Sequence, residues 1–316
     1  MHPLRRNDNA VIGIFASVLI LVFLLILAAV LFIVPLRSVD TNETRTANLS
    51  SGTSALALNL KVDAGDVTIR FVDNASVAAT LHVQGVQRSG LLWTPKPVNI
   101  TWEESGAADA LTINASVHLD LQAGLFNTND IKCQLDISKL LRTSLDVENS
   151  FGGIDIATIG GVNLTQLDVK TSMGKAELTM VSDTILSGPL TLETSLGSLD
   201  LAWDDVTTTE GTNISLKTSA GAVSANIAQN RSLSGNVTMA ITTSLGSMDL
   251  SLDVSGDTSA RILSTVSLGE VKVLQQSGFD GNGSDLRSVN YPQPSNMEVS
   301  CTAGAGSVQI EARYAA

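Results

Sequence analysis

The sequence predicts an all-β protein, a parallel β-helix-like solenoid with coils of 22–25 residues, an N-terminal β cap and one preceding transmembrane helix. Three observations lead there: a glycine that returns at a nearly constant interval, period-two apolar alternation on both sides of it, and a long uncharged run near the start.

Gly152, Gly174, Gly197, Gly221, Gly246 and Gly269 are separated by 22, 23, 24, 25 and 23 residues. Seven positions before them stand Leu145, Leu167, Leu190, Ile214, Met239 and Ile262; two after stand Ile154, Ala176, Leu199, Val223, Met248 and Val271. Four after stand Ile156, Leu178, Leu201, Ala225, Leu250 and Val273, so every column is apolar. Self-similarity at a period in the twenties marks a stacked repeat architecture, and alternation at period two marks strands with one buried face. Ser150, Ser172, Ser195, Ser219, Ser244 and Ser267 precede the glycines by two, giving Ser-x-Gly-x-φ-x-φ, where φ is apolar. Glycine tolerates the positive backbone φ that a corner needs. Further copies fit at Gly65 and, after an insertion, at Gly306. Seven coils at strand spacing would make a rod about 30 Å long.

The N-terminal elements follow in order. Residues 1–9 form a short basic tail with Arg5 and Arg6, and residues 10–36 are uncharged and almost wholly apolar. As a helix that run would extend about 40 Å against a hydrocarbon core of about 30 Å, so it is expected to span a membrane and contact its lipid. The arginines favour a cytoplasmic N-terminus, which places the rest of the chain on the extracellular side of a single-pass protein. Residues 37–55 are polar and lack periodicity, as expected of a flexible stalk. Residues 56–144 alternate at period two without the regular glycine spacing and are expected to form the cap; 145–316 hold the repeats. Solenoids need caps because their last coil presents an open sheet edge.

Side-chain columns outside the core carry the candidate chemistry. Four before the glycine, Glu148, Lys170, Glu193 and Lys217 would alternate in charge along a ladder of stacked strands. Three after it, Asp155, Glu177 and Asp200 would stack like charges, either hydrated or, as a weak metal candidate, sharing a cation such as Ca²⁺. Asp280 to Asp285 faintly resembles a calcium loop but lacks its glycine and its bidentate glutamate, and is expected to be an inserted loop. Cys133 and Cys301 are the only cysteines and could pair outside the cytoplasm or remain buried thiols. Glycosylation sequons occur at Asn42, Asn48, Asn74, Asn99, Asn114, Asn163, Asn213, Asn230, Asn236 and Asn282, all beyond the apolar run.

Composition narrows the function. A net charge of −12 without basic clusters argues against a nucleic-acid partner. The three histidines share no metal-ligand spacing, no nucleophile elbow or phosphate loop occurs, and no cofactor is implied. A carbohydrate-active β-helix enzyme would need carboxylates combined with bases on one face. Here the bases fall in the charge ladder, so a non-enzyme is expected.

The segment Leu58-x-Leu60-x-Val62-x-x-Gly65-Asp66-Val67-x-Ile69, an irregular β stretch and the repeated Ser-x-Gly units resemble the widespread adhesin-domain family of unknown function, with β-solenoid or toast-rack folds. The resemblance covers roughly residues 56 to 312 and rests on turn and core positions. It implies surface display and adhesion, with envelope-stress signalling in some bacterial relatives, and carries over no catalytic residue. The expected function is surface binding or envelope scaffolding through envelope polymers; the alternative is a sensor acting through another membrane protein.

Overall fold

The computed structural model describes residues 18–26, 37–89, 96–107, 109–119, 129–209 and 211–316. Residues 18–26 are helical, and the remainder is all-β, with 22 strands in one sheet. In chain order the first are β1 (Arg37–Asn48), β2 (Ala55–Ala64), β3 (Asp66–Val72), β4 (Val77–Ser89), β5 (Asn99–Ala107), β6 (Ala110–His118) and β7 (Asn129–Ser138). The repeats contribute β8 (Arg142–Phe151), β9 (Ile154–Ala157), β10 (Asn163–Met173), β11 (Ala176–Met180), β12 (Ile185–Leu186), β13 (Leu190–Leu196), β14 (Leu199–Asp204) and β15 (Thr207–Thr208). The rest are β16 (Thr212–Ala220), β17 (Val223–Gln229), β18 (Val237–Ser255), β19 (Ser259–Ser277), β20 (Phe279–Asn282), β21 (Asp285–Ser288) and β22 (Asn296–Ala315).

Two long ladders meet at the glycines. Before the glycine the strands neighbour one another as β5, β6, β2, β8, β10, β13, β16, β18, β22, β19, β21 and β20. After it they run β1, β4, β7, β3, β9, β11, β14, β17, β18, β22 and β19. All central pairings are parallel, and antiparallel pairs are confined to the two ends. The apolar columns face inward between the ladders: Leu58, Leu145, Leu167, Leu190, Ile214 and Met239 align in register and are each at most 2% exposed.

The corner is built from backbone. Gly197 has φ +151°, and a Cβ placed there would lie 1.8 Å from the carbonyl oxygen of Gly174 in the preceding layer. The same contact, 1.7–2.1 Å, recurs from Gly152 through Gly269. Each of these layers is therefore too close to its neighbour for any side chain, which is why glycine recurs. A buried polar column completes the corner: Thr171, Thr194, Thr218 and Thr243 donate their hydroxyls to the carbonyls of Gly152, Gly174, Gly197 and Gly221 at 3.3–3.5 Å. Asn149 does the same to Gly65 through its amide at 2.8 Å.

Two expectations change. Residues 37–48 are not a loose stalk; they form β1, hydrogen-bonded along its length to β4. Thr41 and Ala47 turn inward while Thr44 and Thr46 bond His82 and Thr80 across the pair, so a mostly polar strand is held at the sheet edge. The copy at Gly306 does not follow Gly269 in space. β22 is inserted between β18 and β19, and the glycine column runs Gly65, Gly152, Gly174, Gly197, Gly221, Gly246, Gly306, Gly269. Within 56–144, β2 and β3 form a full layer paired to β8 and β9 at the Gly65 copy, and β4 and β5 add antiparallel pairs at that end of the stack. Of the apolar segment 10–36, only 18–26 lie among the described residues, and no helix among those is long and apolar enough to cross a membrane.

Replacing Gly197 by alanine is expected to destabilise the protein by about 3 kcal/mol or more, combining left-handed strain with a backbone collision. Gly161 also has positive φ (+87°) but nothing within 4 Å, so Gly161→Ala should cost only about 1 kcal/mol. Thermal unfolding of both variants checks this; equal shifts would refute the close-approach explanation.

Candidate functional site

The outward columns beside the glycine corner are the candidate surface. Asp155, Glu177, Asp200, Ser224 and Asp249 stack in register on β9, β11, β14, β17 and β18. The cation among them is a side chain: Lys175 Nζ lies 2.6 Å from Glu177 Oε2 and 2.6 Å from Asp200 Oδ2. Hydrogen bonding to Asp200, then to Glu177, holds the Lys175 ammonium well above the usual lysine range. No group of three or more His, Cys, Asp or Glu that could hold a metal occurs among the described residues. Lysine thus occupies the position proposed for Ca²⁺ between Glu177 and Asp200.

The charge ladder on the other side of the corner has the expected register, extended by Lys61 opposite Glu148. Ion pairs form at Lys61–Glu148 (2.8 Å) and Lys217–Glu193 (2.9 Å). Lys170 departs from the pattern and bonds Asp168 at 2.8 Å on its own strand. Asp168 stacks on Asp146, whose carboxyl is raised first by burial and then by Asp168, and the Lys170 ammonium compensates that repulsion. Being exposed and screened by solvent, these pairs add little to stability. The ladder favours register more than stability.

An open groove of ≈ 370 Å³ crosses β17, β18, β22 and β19. Ser224, Asp249 and Gln309 form one row across it, Asn226, Ser251 and Glu311 the next, and Leu274 closes the end. The rows present hydroxyl, amide and carboxylate groups at strand spacing, about 4.8 Å, with no cationic side chain in the lining. Such a surface can exchange hydrogen bonds with a partner that repeats its own hydroxyl or amide groups. It offers neither a nucleophile–base pair nor a phosphate cradle.

Other sequence candidates take ordinary places. Cys133 on β7 and Cys301 on β22 are both buried and free, so the possible disulfide is not formed. They lie toward opposite ends of the stack, with the layers of Gly65 to Gly246 between them. Burial pushes both thiols up to about 12. The 280–285 segment is the hairpin joining β20 and β21 at the far end, and Asp285 there receives Arg261 at 2.9 Å and Arg287 at 2.7 Å. Among the ten sequons, the asparagines are exposed except Asn74 and Asn163, which are half-buried and hydrogen-bonded.

Sequence reasoning missed two columns. The buried threonines stand three before the glycine, one step from the charge ladder, and their uniform identity was a readable signal. The residue immediately before the glycine is also patterned: Phe151, Met173, Leu196, Leu245 and Leu268 are large, apolar and exposed.

No family model and no curated protein matches the chain. Solved structures with some likeness include a provisionally named cell adhesion protein from Clostridium sporogenes, 16% identical, covering 88% of this chain and 100% of that one, with a TM-score of 0.39. Another is a provisionally named adhesin from Bacteroides fragilis, 8% identical, covering 85% and 98% of the two chains, TM-score 0.35. A third, from Parabacteroides merdae and named likewise, is 10% identical over 85% and 96%, TM-score 0.29. All three TM-scores fall below 0.5, and these likenesses carry no argument about function.

Lys175→Met should leave the carboxylate column uncompensated and lower stability by about 0.5–1 kcal/mol at neutral pH. EDTA should leave the melting temperature of the unmodified protein unchanged; a chelator-sensitive melt would restore the metal alternative. Neither cysteine should react with iodoacetamide before unfolding, and modification of the native protein would contradict the burial of both thiols.

Proposed function

We propose that this chain is a single-pass membrane protein displaying a β-solenoid outside the cell, and that it acts as a binding module and not as an enzyme. Its ligand is an envelope polymer rich in hydroxyl or amide groups, held along the groove that crosses β17, β18, β22 and β19. The observation that carries this reading is the pair of registered polar rows, Ser224–Asp249–Gln309 and Asn226–Ser251–Glu311. A rigid strand lattice presents these groups without the entropy loss of ordering loops on binding. The apolar run 10–36 and the basic residues Arg5 and Arg6 support the anchor and its orientation.

One observation favours a second reading, a sensor that works through a membrane partner. β1 begins at Arg37, directly after the apolar run, and is paired to β4 along its length. A ligand on the lattice would then be coupled to the anchor by a strand in place of a loose tether.

The test is retention of the full-length protein on envelope polysaccharides and peptidoglycan. An Asn226→Ala, Gln309→Ala double variant should lose about tenfold or more in affinity, corresponding to about 1.4 kcal/mol or more for two hydrogen-bonding groups, with an unchanged melting temperature. Equal binding by the variant, or no binding by the parent across the panel, would remove the groove reading.

A further inference from the structure

A second cleft, of ≈ 310 Å³, lies toward the β1 end of the stack on the outward face of β4, β7 and β3. Arg70 on β3 and Lys132 on β7 line it, and both are exposed. They differ from Lys61, Lys170, Lys175 and Lys217, each of which holds a carboxylate. Among the described residues neither Arg70 nor Lys132 has an ion pair or a side-chain hydrogen bond, although each stands opposite an acid on the neighbouring strand. Asp136, in register with Arg70, is taken by the Gln134 amide at 3.1 Å. Asp66, in register with Lys132, accepts the Gly153 amide through Oδ1 at 3.0 Å. Two cations thus remain without a protein partner at one cleft of a chain whose net charge is −12.

Between the cations the floor is polar. Thr68, Gln134 and His82 form one registered row across it, and Gln84 shares the next row with Lys132. We propose that this cleft binds one carboxylated sugar, a uronic-acid unit of an envelope polysaccharide. The planar Arg70 fork suits a carboxylate through two parallel hydrogen bonds, and Lys132 adds a point charge. Thr68, Gln84 and Gln134, with the second oxygen of Asp66, exchange hydrogen bonds with the sugar hydroxyls. Asp130 stands two residues from Lys132 on its own strand, and Asp155 is in register with Thr68 on β9. These acids repel an anion that does not touch both cations, which favours a single acidic unit over a chain charged at every residue. The site is separate from the groove across β17, β18, β22 and β19, and it takes from that reading only the envelope polymer as the source of the ligand.

The test uses the full-length chain in an uncharged detergent at low salt, titrated with glucuronate, glucose, acetate and glucose 6-phosphate and followed by saturation-transfer NMR. Glucuronate should bind at least about tenfold more tightly than glucose or acetate, and its affinity should fall as salt rises. An Arg70→Gln, Lys132→Gln double variant should bind glucuronate no better than glucose. Arg142→Gln removes another exposed, unpaired arginine on β8 and should bind within about twofold of the parent, because a distant exposed charge is screened. Lys132→Arg, which keeps the charge, and the groove variant Asn226→Ala, Gln309→Ala should also bind like the parent. Undiminished binding by the Arg70, Lys132 double variant, loss of binding in Lys132→Arg, or equal binding of glucose or acetate overturns the assignment. Tighter binding of glucose 6-phosphate overturns the carboxylate in favour of a phosphate. Absence of glucuronate binding by the parent overturns this site alone, while the groove reading is judged separately by polymer retention.

Discussion

The structure depends on one close contact, glycine backbone against glycine carbonyl, repeated from layer to layer. At Gly174, Gly197, Gly221 and Gly246 the neighbouring carbonyl oxygen sits where a Cβ would have to be. The amides of Gly174, Gly197 and Gly221 donate to Leu196, Ala220 and Leu245 at 2.9–3.0 Å, and the carbonyls of Gly152, Gly174, Gly197 and Gly221 accept a threonine hydroxyl. With its polar groups satisfied and no side chain in the way, the corner packs as tightly as the ladders on either side. A buried carbonyl lacking its partner would cost about 1–3 kcal/mol, which accounts for the threonines facing inward among aliphatic side chains.

The same corner fixes what each outward column does. Strand alternation on both sides starts from it, so residues −4 and +3 relative to the glycine face water on the two ladders while −7, +2 and +4 fill the core. The residue at −1 lies outside at the turn itself, where neither ladder covers it. Polar groove, charge ladder and apolar ridge are thus three surfaces of one repeating unit, held in register by the backbone.

Much of this was legible in the sequence because the signals are local: glycine spacing, alternation, and aligned charges are properties of single repeats. The order of the layers at the ends was not. The alternation of Val299, Cys301, Val308 and Ile310 fits equally well beside β18 or beyond β19, and only long-range pairing places β22 between them. β1 escaped notice because an edge strand with polar residues on most positions has no hydrophobic period to read. Lys175 lies two positions from Glu177 along the chain, yet its bond to Asp200 arises only once layers stack.

The most direct measurement is disulfide trapping of the layer order at the outward position four before the glycine, where Thr302 stands between Thr242 and Thr265. Adjacent parallel strands bring Cα atoms within disulfide reach, about 4.8 Å, whereas strands two layers apart are about 9.6 Å away. The glycine-corner account predicts that Thr242→Cys with Thr302→Cys forms a bond under mild oxidation and that Thr242→Cys with Thr265→Cys does not. A bond between 242 and 265 would place the layers in chain order and contradict it.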